Sequence, residues 1–475
     1  MVMGEFTERV DVLIIGGGPG GYAAAFRAAD LGLEVTLVEM DKRLGGVCLL
    51  RGCIPSKSLL HVAELLHDAR NADEMGVTFK SPKIDLDKMR NWKNGVIDRL
   101  TQGLSHLCKK RNVQLFKGRV RFEDSNTVQL LDSEADISHI EFKHAVIATG
   151  SSPIPLPGTE FKKGGKIISS TGALDLVDIP DRLLVVGGGY VGAELGSVYA
   201  SLGSKVTLAE MADRMMPGTD EELVDILADA LTGIFDAIHY NTTVKEIEET
   251  DKEVRVMFEG DIEKTEQTFD RVLVAIGRRP NSQDLGLENT HVEMDDKGYI
   301  QVDDKLRTAD KNIFAVGDVV GGAMLAHKAM YEGKTAAEVI AGKPAAFDAR
   351  AIPAVVYTFP QLAWCGLTEK EAKEQGRAIK IGRFPWSASG RAASMGFRKG
   401  LTKMVLDAET GQVLGVGIVG PEAGEMISEG VLAVEMGALA EDVALTIHPH
   451  PTLSETEQEA AEAFLGSSTH ILSKK

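Results

Sequence analysis

Residues 11–21 have the sequence DVLIIGGGPGG, in which a short apolar run is followed directly by glycines. The apolar run has the composition of a buried strand. Gly16, Gly18 and Gly21 then occupy the spacing G-x-G-x-x-G before an alanine-rich segment of helical character. Glycines at these positions permit a tight turn and let the backbone approach a phosphate group at the start of the helix. This stretch therefore predicts the first strand, turn and helix of an α/β sheet.

A second strand follows this helix at residues 34–38 and ends on Glu39. An acid about 20 residues after such glycines can hydrogen-bond a ribose hydroxyl. The three glycines alone would also fit a glycine-rich turn that binds nothing. Strand, helix, strand and terminal acid together indicate a dinucleotide-binding unit.

The same pattern occurs a second time, beginning with a strand at residues 182–186. Its key residues each lie 171 positions after their counterparts in the first copy: Gly187, Gly189, Gly192 and Glu210. Two such fingerprints predict that the chain binds two dinucleotides.

A pair of similar segments marks the limits of the second unit. FKHAVIATGSSP at residues 142–153 aligns with FDRVLVAIGRRP at residues 269–280 at a constant offset of 127. We therefore place a nested domain at about residues 154–278. The surrounding domain then consists of residues 1–153 and 279–346.

The remaining region, residues 347–475, changes to strands separated by Gly and Pro and then to helices, without a fingerprint of its own. It is either a cap or an interface. A chain of 475 residues exceeds the roughly 250–300 residues at which single cores stop growing, so several domains are expected. The predicted fold class is α/β, with two Rossmann-like domains, one nested in the other, and an α+β C-terminal domain. Within the first domain, residues 113–122 have the character of one strand.

Charge and hydropathy exclude two classes of partner. The formal net charge of −18 argues against nucleic acid, which needs clustered Lys and Arg, and against an anionic membrane surface. Residues 351–367 are uncharged but shorter than a usual membrane span, and they contain Pro353 and Pro360, so core strands fit better. The N-terminal segment, residues 1–17, lacks the basic, apolar and small-residue pattern of a signal peptide. We therefore expect the mature chain to begin here and to remain in the cytoplasm.

The segment GGVCLLRGCIPSK, residues 45–57, places Cys48 and Cys53 between a glycine pair and a helix-starting Ile-Pro-Ser. We interpret the two cysteines as a redox pair; the alternative is two unrelated buried thiols. Positions i and i+5 of a regular helix lie roughly 8 to 9 Å apart, beyond the roughly 7 Å that a disulfide spans. If these cysteines bond, the backbone must be distorted, with Gly52 the expected place, and a strained bond is easier to reduce. The other two cysteines are most simply buried thiols: Cys108 and Cys365.

The segment NIFAVGDV, residues 312–319, ends an apolar run on Gly317 and Asp318. An acid at the end of a strand can hold a sugar hydroxyl. It can equally be a plain helix N-cap.

The C-terminal segment HPHPTLSE, residues 448–455, supplies His448, His450 and Glu455. A histidine backed by a carboxylate is a tuned base, because the acid fixes the tautomer and stabilises the imidazolium. A histidine between two prolines is otherwise most often a turn residue. Together with a redox cysteine pair the base interpretation is favoured, since dithiol exchange needs a base to form thiolate.

These motifs occur in the order seen in the pyridine nucleotide-disulfide oxidoreductase family of flavoproteins, which the sequence resembles over practically its whole length. The resemblance is strongest to members that oxidise dihydrolipoamide, and it implies FAD and NAD as cofactors. It implies that FAD contacts the first fingerprint and a ribityl-binding acid: Gly16, Gly18, Gly21, Glu39 and Asp318. It implies that the nicotinamide cofactor contacts the second fingerprint: Gly187, Gly189, Gly192 and Glu210. It implies further cofactor-binding residues in the ATG, AIG and AVGD segments: Thr149, Gly150, Gly277 and Gly317. Lys57 would sit near the flavin, paired with Glu194, and stabilise negative charge there.

The resemblance also implies a separate role in the reaction for each of these groups. Cys48 would exchange with the dithiol substrate, Cys53 would pass electrons to FAD, and reduced FAD would then reduce NAD+. The C-terminal region would be the dimerisation domain of a homodimer and carry His450, the proton acceptor, with Glu455 into the partner subunit's active site. The substrate would be the lipoyl domain of a 2-oxoacid dehydrogenase complex, docked through its acyltransferase core, or a glycine-cleavage lipoyl protein. We expect a basic binding segment to dock near the dimer axis, on acids of the C-terminal region: Glu422, Glu425, Glu441, Asp442, Glu457 and Glu459.

Three alternatives stay open at this point. A glutathione reductase should use NADPH, yet Glu210 would repel a 2′-phosphate, although Arg214 lies four residues later. A mercuric reductase should have a C-terminal cysteine pair, whereas no cysteine follows Cys365. A non-catalytic subunit could keep FAD for folding alone. The family often has Asn and Val where this chain has Leu50 and Arg51, so the redox potential or rate could differ.

Overall fold

The computed structural model describes residues 6–133 and 135–472. Residues 1–5, where the expectation about the start of the chain begins, lie outside the described residues. The strands, in chain order, are β1 (Phe6–Ile15), β2 (Val35–Glu39), β3 (Gln114–Lys117), β4 (Arg119–Phe122), β5 (Thr127–Leu131), β6 (Ile137–Ile147), β7 (Ser151–Pro153), β8 (Ile167–Ile168), β9 (Arg182–Val186), β10 (Lys205–Ala209), β11 (Ala237–His239), β12 (Thr242–Glu249), β13 (Val254–Gly260), β14 (Glu266–Phe269), β15 (Arg271–Val274), β16 (Arg278–Pro280), β17 (Ile313–Ala315), β18 (Ala354–Val356), β19 (Gln361–Gly366), β20 (Ile379–Pro385), β21 (Leu401–Asp407) and β22 (Val413–Gly420).

The helices are α1 (Pro19–Asp30), α2 (Gly46–Arg51), α3 (Cys53–Asn71), α4 (Leu86–Lys110), α5 (Ser170–Asp175), α6 (Tyr190–Leu202), α7 (Glu221–Thr232), α8 (Ala326–Ile340), α9 (Glu369–Glu374), α10 (Gly390–Ser394), α11 (Ala423–Met436), α12 (Ala440–Leu445) and α13 (Glu455–Leu465). Short 3₁₀ turns occur at Ala72–Met75, Leu287–Asn289, Gly317–Val320 and Trp386–Ala388. Within the described residues, no helix is both long enough and apolar enough to cross a lipid bilayer.

The chain divides into two compact units. The first contains the described residues up to Ser58, together with Asp85–Ile154 and Gly277–Asp348. The second contains Leu59–Ile84, Pro155–Ile276 and the described residues from Ala349 onward.

The first unit is built on a sheet ordered β3-β2-β1-β6-β5-β4, with β17 also paired to β6. Strands β2, β6 and β17 join this sheet in parallel pairings through β1 and β6. Val12 and Ile14 pack with alanines of α1 and α8, whereas Leu13 and Ile15 pack with apolar residues of β4 to β6 on the other face. A central parallel strand is buried on both faces, which is why its sequence is continuously apolar.

The second unit contains a parallel sheet ordered β11-β10-β9-β15-β8, an antiparallel sheet β12-β13-β14 and an antiparallel sheet β18-β19-β22-β21-β20. Strand β9 has the bounds that the sequence predicts. Residues 351–367, interpreted as core strands, contain all of β18 and β19. The predicted α/β fold class is confirmed, whereas the four-part domain division stays a prediction.

The single strand predicted at residues 113–122 is wrong. Two strands, β3 and β4, are separated at Gly118, where a Cβ atom would lie 2.7 Å from the carbonyl oxygen of Leu131. Strand β3 pairs in parallel with β2, whereas β4 pairs antiparallel with β5. Because of this break, the two halves of residues 113–122 pair with two different strands.

A buried group of charges lies in the second unit, between the start of α7 and the C-terminal sheet. The Lys403 side chain is 2% exposed, and its Nζ lies 3.1 Å from Asp220, 2.5 Å from Glu222 and 2.7 Å from Glu369. Arg383 also contacts Glu222 and Glu369, at 2.9 and 3.1 Å. Burial raises the pKa of Glu369, but hydrogen bonds from Lys373 and Lys403 outweigh it and lower that pKa to about 2. The cluster therefore stays charged while it joins the start of α7 to α9 and to strands β20 and β21.

Candidate active site and dinucleotide sites

The first glycine turn requires glycine for steric reasons at two positions. Gly16 has a φ of +103°, and a Cβ there would lie 2.5 Å from the carbonyl oxygen of Ala148. A Cβ on Gly21 would lie 1.8 Å from the carbonyl oxygen of Gly16. Helix α1 begins after Gly18, which has no side chain to accept hydrogen bonds from the first amide groups of the helix. These amide donors, at the positive end of the helix dipole, suit a phosphate.

Glu39 ends the second strand beside this turn and is buried. Its carboxylate accepts hydrogen bonds from the amides of Gly17, at 2.6 Å, and Asp41, at 2.7 Å. Burial raises the pKa of Glu39, and these two amides lower it in part. A cavity of about 430 Å³ lies against Glu39, and its lining includes the basic residues Lys42, Arg43, Lys109 and Lys117. The carboxylate, the amides and the basic cavity fit the nucleotide end of a dinucleotide.

The second glycine turn repeats this geometry. A Cβ on Gly187 would lie 2.5 Å from the carbonyl oxygen of Ala275, and one on Gly192 would lie 2.1 Å from the carbonyl oxygen of Gly187. Helix α6 again begins after a glycine, Gly189.

The acid of the second turn is held in the same way as that of the first. Glu210 accepts hydrogen bonds from the amides of Gly188, at 2.5 Å, and Ala212, at 2.7 Å. The cation that could bind a 2′-phosphate, Arg214, lies 3.3 Å from Glu221 and 3.8 Å from Asp213. Arg214 therefore lies beside two carboxylates, while its Nη1 is buried without a hydrogen-bond partner among the described residues.

The cysteine pair lies across a break between two helices. Helix α2 ends at Gly52, with φ −146° and ψ −111°, and α3 begins at Cys53. This break is at the residue where the sequence predicts a distortion. Both cysteines are in the thiol form and share a side-chain hydrogen bond, so the interruption brings them within bonding reach.

Neighbouring groups set the charge of the thiols. The hydrogen bond with Cys53, burial and the negative charge of Cys53 raise the pKa of Cys48, and the charge of Lys57 lowers it. Burial, and then the charges of the two cysteines, raise the pKa of Tyr22 to about 12. Arg51, one of the departures from the family pattern, forms an ion pair with Asp41 at 2.7 Å. In the reduced pair, Cys48 therefore keeps its proton up to a higher pH than an ordinary thiol does.

The other two cysteines differ from this pair. Both are free and buried, and burial raises the pKa of each, to about 12 for Cys365. The sequence prediction that Cys108 and Cys365 are buried thiols is confirmed.

Asp318 lies in the first unit, in the turn Gly317–Val320, whose N-cap is Val316, so Asp318 is not the plain N-cap considered above. Ser151 donates a hydrogen bond to its carboxylate at 2.5 Å, and Arg278 donates one to the hydroxyl of Ser151 at 2.7 Å. Arg278 itself lies 4.0 Å from Asp318. Pattern analysis of the sequence missed both partners, because they are 167 and 40 positions from Asp318 along the chain.

Thr149 and Gly150 are held by a residue that the sequence analysis also missed. The Thr149 hydroxyl donates to the carbonyl oxygen of Asn281 at 2.7 Å, and the Asn281 side chain donates to that of Thr149 at 2.9 Å. The Asn281 amide donates to Gly150. The carbonyl oxygen of Gly277, the counterpart of Gly150, accepts from the Ile154 amide at 3.1 Å. The signal available in the sequence was the similarity of the segments at residues 142–153 and 269–280. Strands β7 and β16 lie in these two segments and pair with each other.

In the second unit, His450 Nδ1 lies 2.8 Å from Glu455, and the His450 side chain is 71% exposed. Glu455 also accepts from the Thr452 amide at 2.7 Å. Burial raises the pKa of Glu455, but the hydrogen bonds from Thr452 and His450 lower it by a larger amount, so the pKa is lowered overall. His448 is buried and contacts Glu429 and the Thr446 carbonyl oxygen, both at 2.8 Å. Of the two histidines, His450 is therefore the one with a ring available to a substrate.

The predicted site residues are divided between the two units. The first unit holds the cysteines, Lys57, the first fingerprint and Asp318. The second holds Glu194, the second fingerprint, His450 and Glu455. Glu194 is buried and accepts a hydrogen bond from the Tyr357 amide at 3.0 Å. The pairing of Lys57 with Glu194, like the catalytic and cofactor-binding roles, stays a prediction.

Known proteins resemble the chain over its full length. The family Pyridine nucleotide-disulphide oxidoreductase matches residues 10–333, and that family's dimerisation domain matches residues 352–461. Dihydrolipoyl dehydrogenase 2 of Haloarcula marismortui and dihydrolipoyl dehydrogenase of Bacillus subtilis are each 46% identical over 473 residues, covering 99% of this chain and 100% of each relative. The crystal structure of LpdA from Mycobacterium tuberculosis has a TM-score of 0.88 and 28% identity, covering 96% of this chain and 99% of its own. The HOCl-induced flavoprotein disulfide reductase RclA from Escherichia coli has a TM-score of 0.84 and 28% identity, covering 95% and 99%.

The charge environment of the thiols gives a first prediction. Replacing Cys53→Ala removes the hydrogen bond and the negative charge that raise the pKa of Cys48, so Cys48 should ionise at lower pH. Lys57→Met removes the charge that lowers this pKa, so it should act in the opposite direction. The measurement is the pH dependence of iodoacetamide labelling of the reduced protein, followed peptide by peptide in a mass spectrometer. Cys365, which is buried, should stay unlabelled in every variant and so reports an intact fold, and an unmoved Cys48 midpoint in both variants would contradict the assignment.

Proposed function

The chain belongs to the pyridine nucleotide-disulphide oxidoreductase family, as the sequence resemblance predicts, and from this premise we propose that it oxidises protein-bound dihydrolipoamide to lipoamide with NAD+. It is an oxidoreductase that uses FAD and NAD. The observation that carries the proposal is the 46% identity, over practically the whole chain, to proteins named dihydrolipoyl dehydrogenase. The paired thiols and the exposed histidine with its carboxylate supply the groups that this reaction needs.

The two glycine turns fit the two cofactors. We assign FAD to the turn beside Glu39 and NAD to the turn beside Glu210, as the sequence resemblance implies. In both turns the first and last glycines let the backbone close tightly, because a Cβ atom there would clash with a backbone carbonyl. A Cβ on the middle glycines, Gly18 and Gly189, would meet no backbone carbonyl of the described residues, so the backbone stays open there to a pyrophosphate. The chemistry supplied by bound FAD is two-electron transfer from the dithiol to NAD+.

The thiol chemistry begins with proton removal. His450 takes the proton of one substrate thiol, because its Nδ1 is bonded to Glu455 and its Nε2 can then act as the base. The resulting thiolate attacks the Cys48 sulfur of a Cys48–Cys53 disulfide, and Cys53 leaves as a thiolate. The second substrate thiol then attacks its own sulfur in the mixed disulfide, which closes the lipoamide ring and releases Cys48.

The hydrogen bond between the cysteines supports these different roles of Cys48 and Cys53. As Cys48 leaves it takes the proton held by His450, and His450 takes the proton of the second substrate thiol. The raised pKa of Cys48 keeps its proton on it while Cys53 carries the negative charge. One disulfide has then formed in the substrate and one has been reduced in the enzyme. The charge of Lys57 lowers the pKa of Cys48 and thus helps it leave as a thiolate.

The C-terminal region contains the family's dimerisation domain, and we propose that the enzyme is a homodimer. Both His450 and Glu455 lie inside the matched residues. Several large apolar side chains of this region are exposed on the single chain: Leu432, Met436, Leu439, Leu445 and Ile447. Such a surface is suited to burial against a second copy.

We propose further that the domains are residues 1–153, 154–278, 279–346 and 347–475, and that the enzyme is cytoplasmic. The boundaries of the two compact units, at residues 154, 276 and 348, support these divisions. Recovery of the protein in a membrane or exported fraction after cell fractionation would contradict the location.

We propose that its partners are a lipoyl domain and the acyltransferase core of a 2-oxoacid dehydrogenase complex, or a glycine-cleavage lipoyl protein. Four of the acids expected to attract a basic segment are exposed: Glu422, Glu425, Glu441 and Asp442. The other two, Glu457 and Glu459, are buried and cannot form part of such a surface. The sequence placed them on it because a charged residue in a helix is usually exposed.

The function is tested by anaerobic titration with dihydrolipoamide, followed in the visible spectrum, and by turnover with NAD+ and NADP+. Reduction of the flavin and turnover are expected. NAD+ should have a kcat/KM at least about tenfold above NADP+, since a lost hydrogen bond to a charged group costs about 1.5–3 kcal/mol and Glu210 also repels the added phosphate. Glu210→Gln should narrow this ratio, whereas Asp225→Asn, which removes an exposed negative charge of α7, should leave it unchanged. Equal use of the two nucleotides by the unmodified enzyme would contradict the assignment.

The dimer is tested by mixing two inactive variants, Cys53→Ser and His450→Ala, after dissociating and reassociating the subunits. If each active site takes its cysteines from one chain and His450 from the other, a mixed dimer has one site with both defects and one with neither. Equal amounts give about half mixed dimers, so roughly a quarter of the original sites should recover.

The matched control mixes Cys53→Ser with Cys48→Ser, because every site then has a damaged thiol and no activity should return. If subunit exchange is demonstrated and the first mixture also stays inactive, His450 serves its own chain or is not the base.

Docking of the acyltransferase core is tested by association rates at increasing salt. The rate should fall between 0.1 M and 1 M salt, because the Debye length shrinks from about 10 Å to about 3 Å. Replacing Glu422 and Glu425 by Gln should slow association at low salt, whereas the buried Glu457→Gln serves as the control. A rate independent of salt would argue against electrostatic docking.

A further inference from the structure

Two buried charged side chains of α8 lie against the turn that carries Asp318. Lys328 and Glu332 are 7% and 2% exposed, and their charged atoms lie 2.6 Å apart. The turn itself spans Gly317–Val320 and ends at Gly321. The proposed thiol chemistry assigns no role to this ion pair.

The pair is bonded to both ends of the turn. One oxygen of Glu332 accepts the amide hydrogen of Gly317 at 2.7 Å, and its other oxygen contacts Lys328. Lys328 in turn donates to the carbonyl oxygen of Gly321 at 3.1 Å. The residue before Asp318 and the residue that closes its turn are therefore fixed to one helix by one ion pair.

We propose that Lys328 and Glu332 are positioning residues, which hold the Asp318 turn in the conformation that receives the sugar-alcohol chain of the flavin. The inference rests on the proposed function, in which Asp318 binds FAD. It extends the set of residues that determine flavin affinity to two side chains that need not touch the flavin.

Electrostatics explain why a pair of charges is used. Burial, and more weakly the charge of Asp318, raise the pKa of Glu332, whereas Lys328 and the Gly317 amide lower it in part. A lone buried carboxylate would therefore tend to become protonated beside Asp318, and Lys328 offsets that tendency. Ser151 and Arg278 approach Asp318 from the opposite strands, β7 and β16, and do not replace this support.

A merely stabilising role and a positioning role predict different results. Replacing a buried ion pair by apolar residues of similar volume is often neutral or stabilising for the fold, because the cost of desolvating two charges disappears. A positioning role predicts that the same replacement weakens flavin binding, because the bonds to Gly317 and Gly321 are lost.

The experiment uses the full-length chain, stripped of flavin and titrated with FAD while flavin fluorescence is followed. In Lys328→Met/Glu332→Leu we expect the dissociation constant to rise at least about tenfold, the equivalent of about 1.4 kcal/mol, with the thermal midpoint of the apoprotein unchanged or higher. The matched control is Arg27→Met/Glu338→Leu, an ion pair that also involves α8 but does not contact the turn. This control should bind FAD as the unmodified chain does.

A mutant cycle with Asp318→Asn separates positioning from a general effect. If the pair acts through Asp318, adding Asp318→Asn to the double variant should weaken binding by much less than it does alone. Should the double variant fail to fold, Lys328→Gln/Glu332→Gln, which leaves no unpaired buried charge, is expected to raise the dissociation constant by a smaller factor, because an amide oxygen at position 332 can still accept the bond from Gly317.

Unchanged FAD affinity, or losses that simply multiply, would overturn the inference. Failure of the unmodified chain to bind FAD would instead refute the proposed function, so the two failures are distinguishable.

Discussion

The close approach of backbone to backbone at the two glycine turns is the constraint on which this structure depends. At Gly21 a single added carbon would lie 1.8 Å from the carbonyl oxygen of Gly16, and at Gly192 it would lie 2.1 Å from that of Gly187. These contacts let each helix start directly over the end of its strand, with free amides at the edge of the sheet. Side chains there would push helix and strand apart, and the carboxylates of Glu39 and Glu210 would lose their amide partners.

A different interruption produces the reactive thiols. The cysteines belong to two helices, separated by the non-helical Gly52, where a Cβ would lie 2.9 Å from the carbonyl oxygen of Val47. A continuous helix would hold the sulfur atoms too far apart to share a proton or a bond. The same break leaves the second cysteine as the first residue of α3, with Lys57 four residues, about one turn, further along the helix. Backbone geometry and charge thus act together on one pair of sulfur atoms.

Much of this could be predicted from the sequence because the relevant signals are local. The glycine spacings, the acids that end the second strands, the break at Gly52 and the separation of His450 from Glu455 all involve short intervals. Gly118 looked like part of a strand because its reason for being glycine, the carbonyl oxygen of Leu131, comes from a neighbouring strand.

Other features depend on contacts that no local pattern records. Ser151 binds Asp318 across 167 positions of sequence, and Asn281 binds Thr149 across 132. Glu457 was expected on the surface, yet it is buried with both carboxylate oxygens lacking a hydrogen-bond partner among the described residues, and burial raises its pKa well above the usual range. The buried charges around Lys403 likewise combine residues from three separate parts of the chain.

The ion pairs of Lys403 also limit how the second unit can open. Moving Lys403 away from its three carboxylates would leave unpaired charges in a buried place. The start of α7 and strand β21 can therefore separate only if all of these contacts break together. We therefore expect the backbone amides of α7 and β21 to exchange their hydrogens as a single cooperative unit, although more than 150 residues lie between them along the chain.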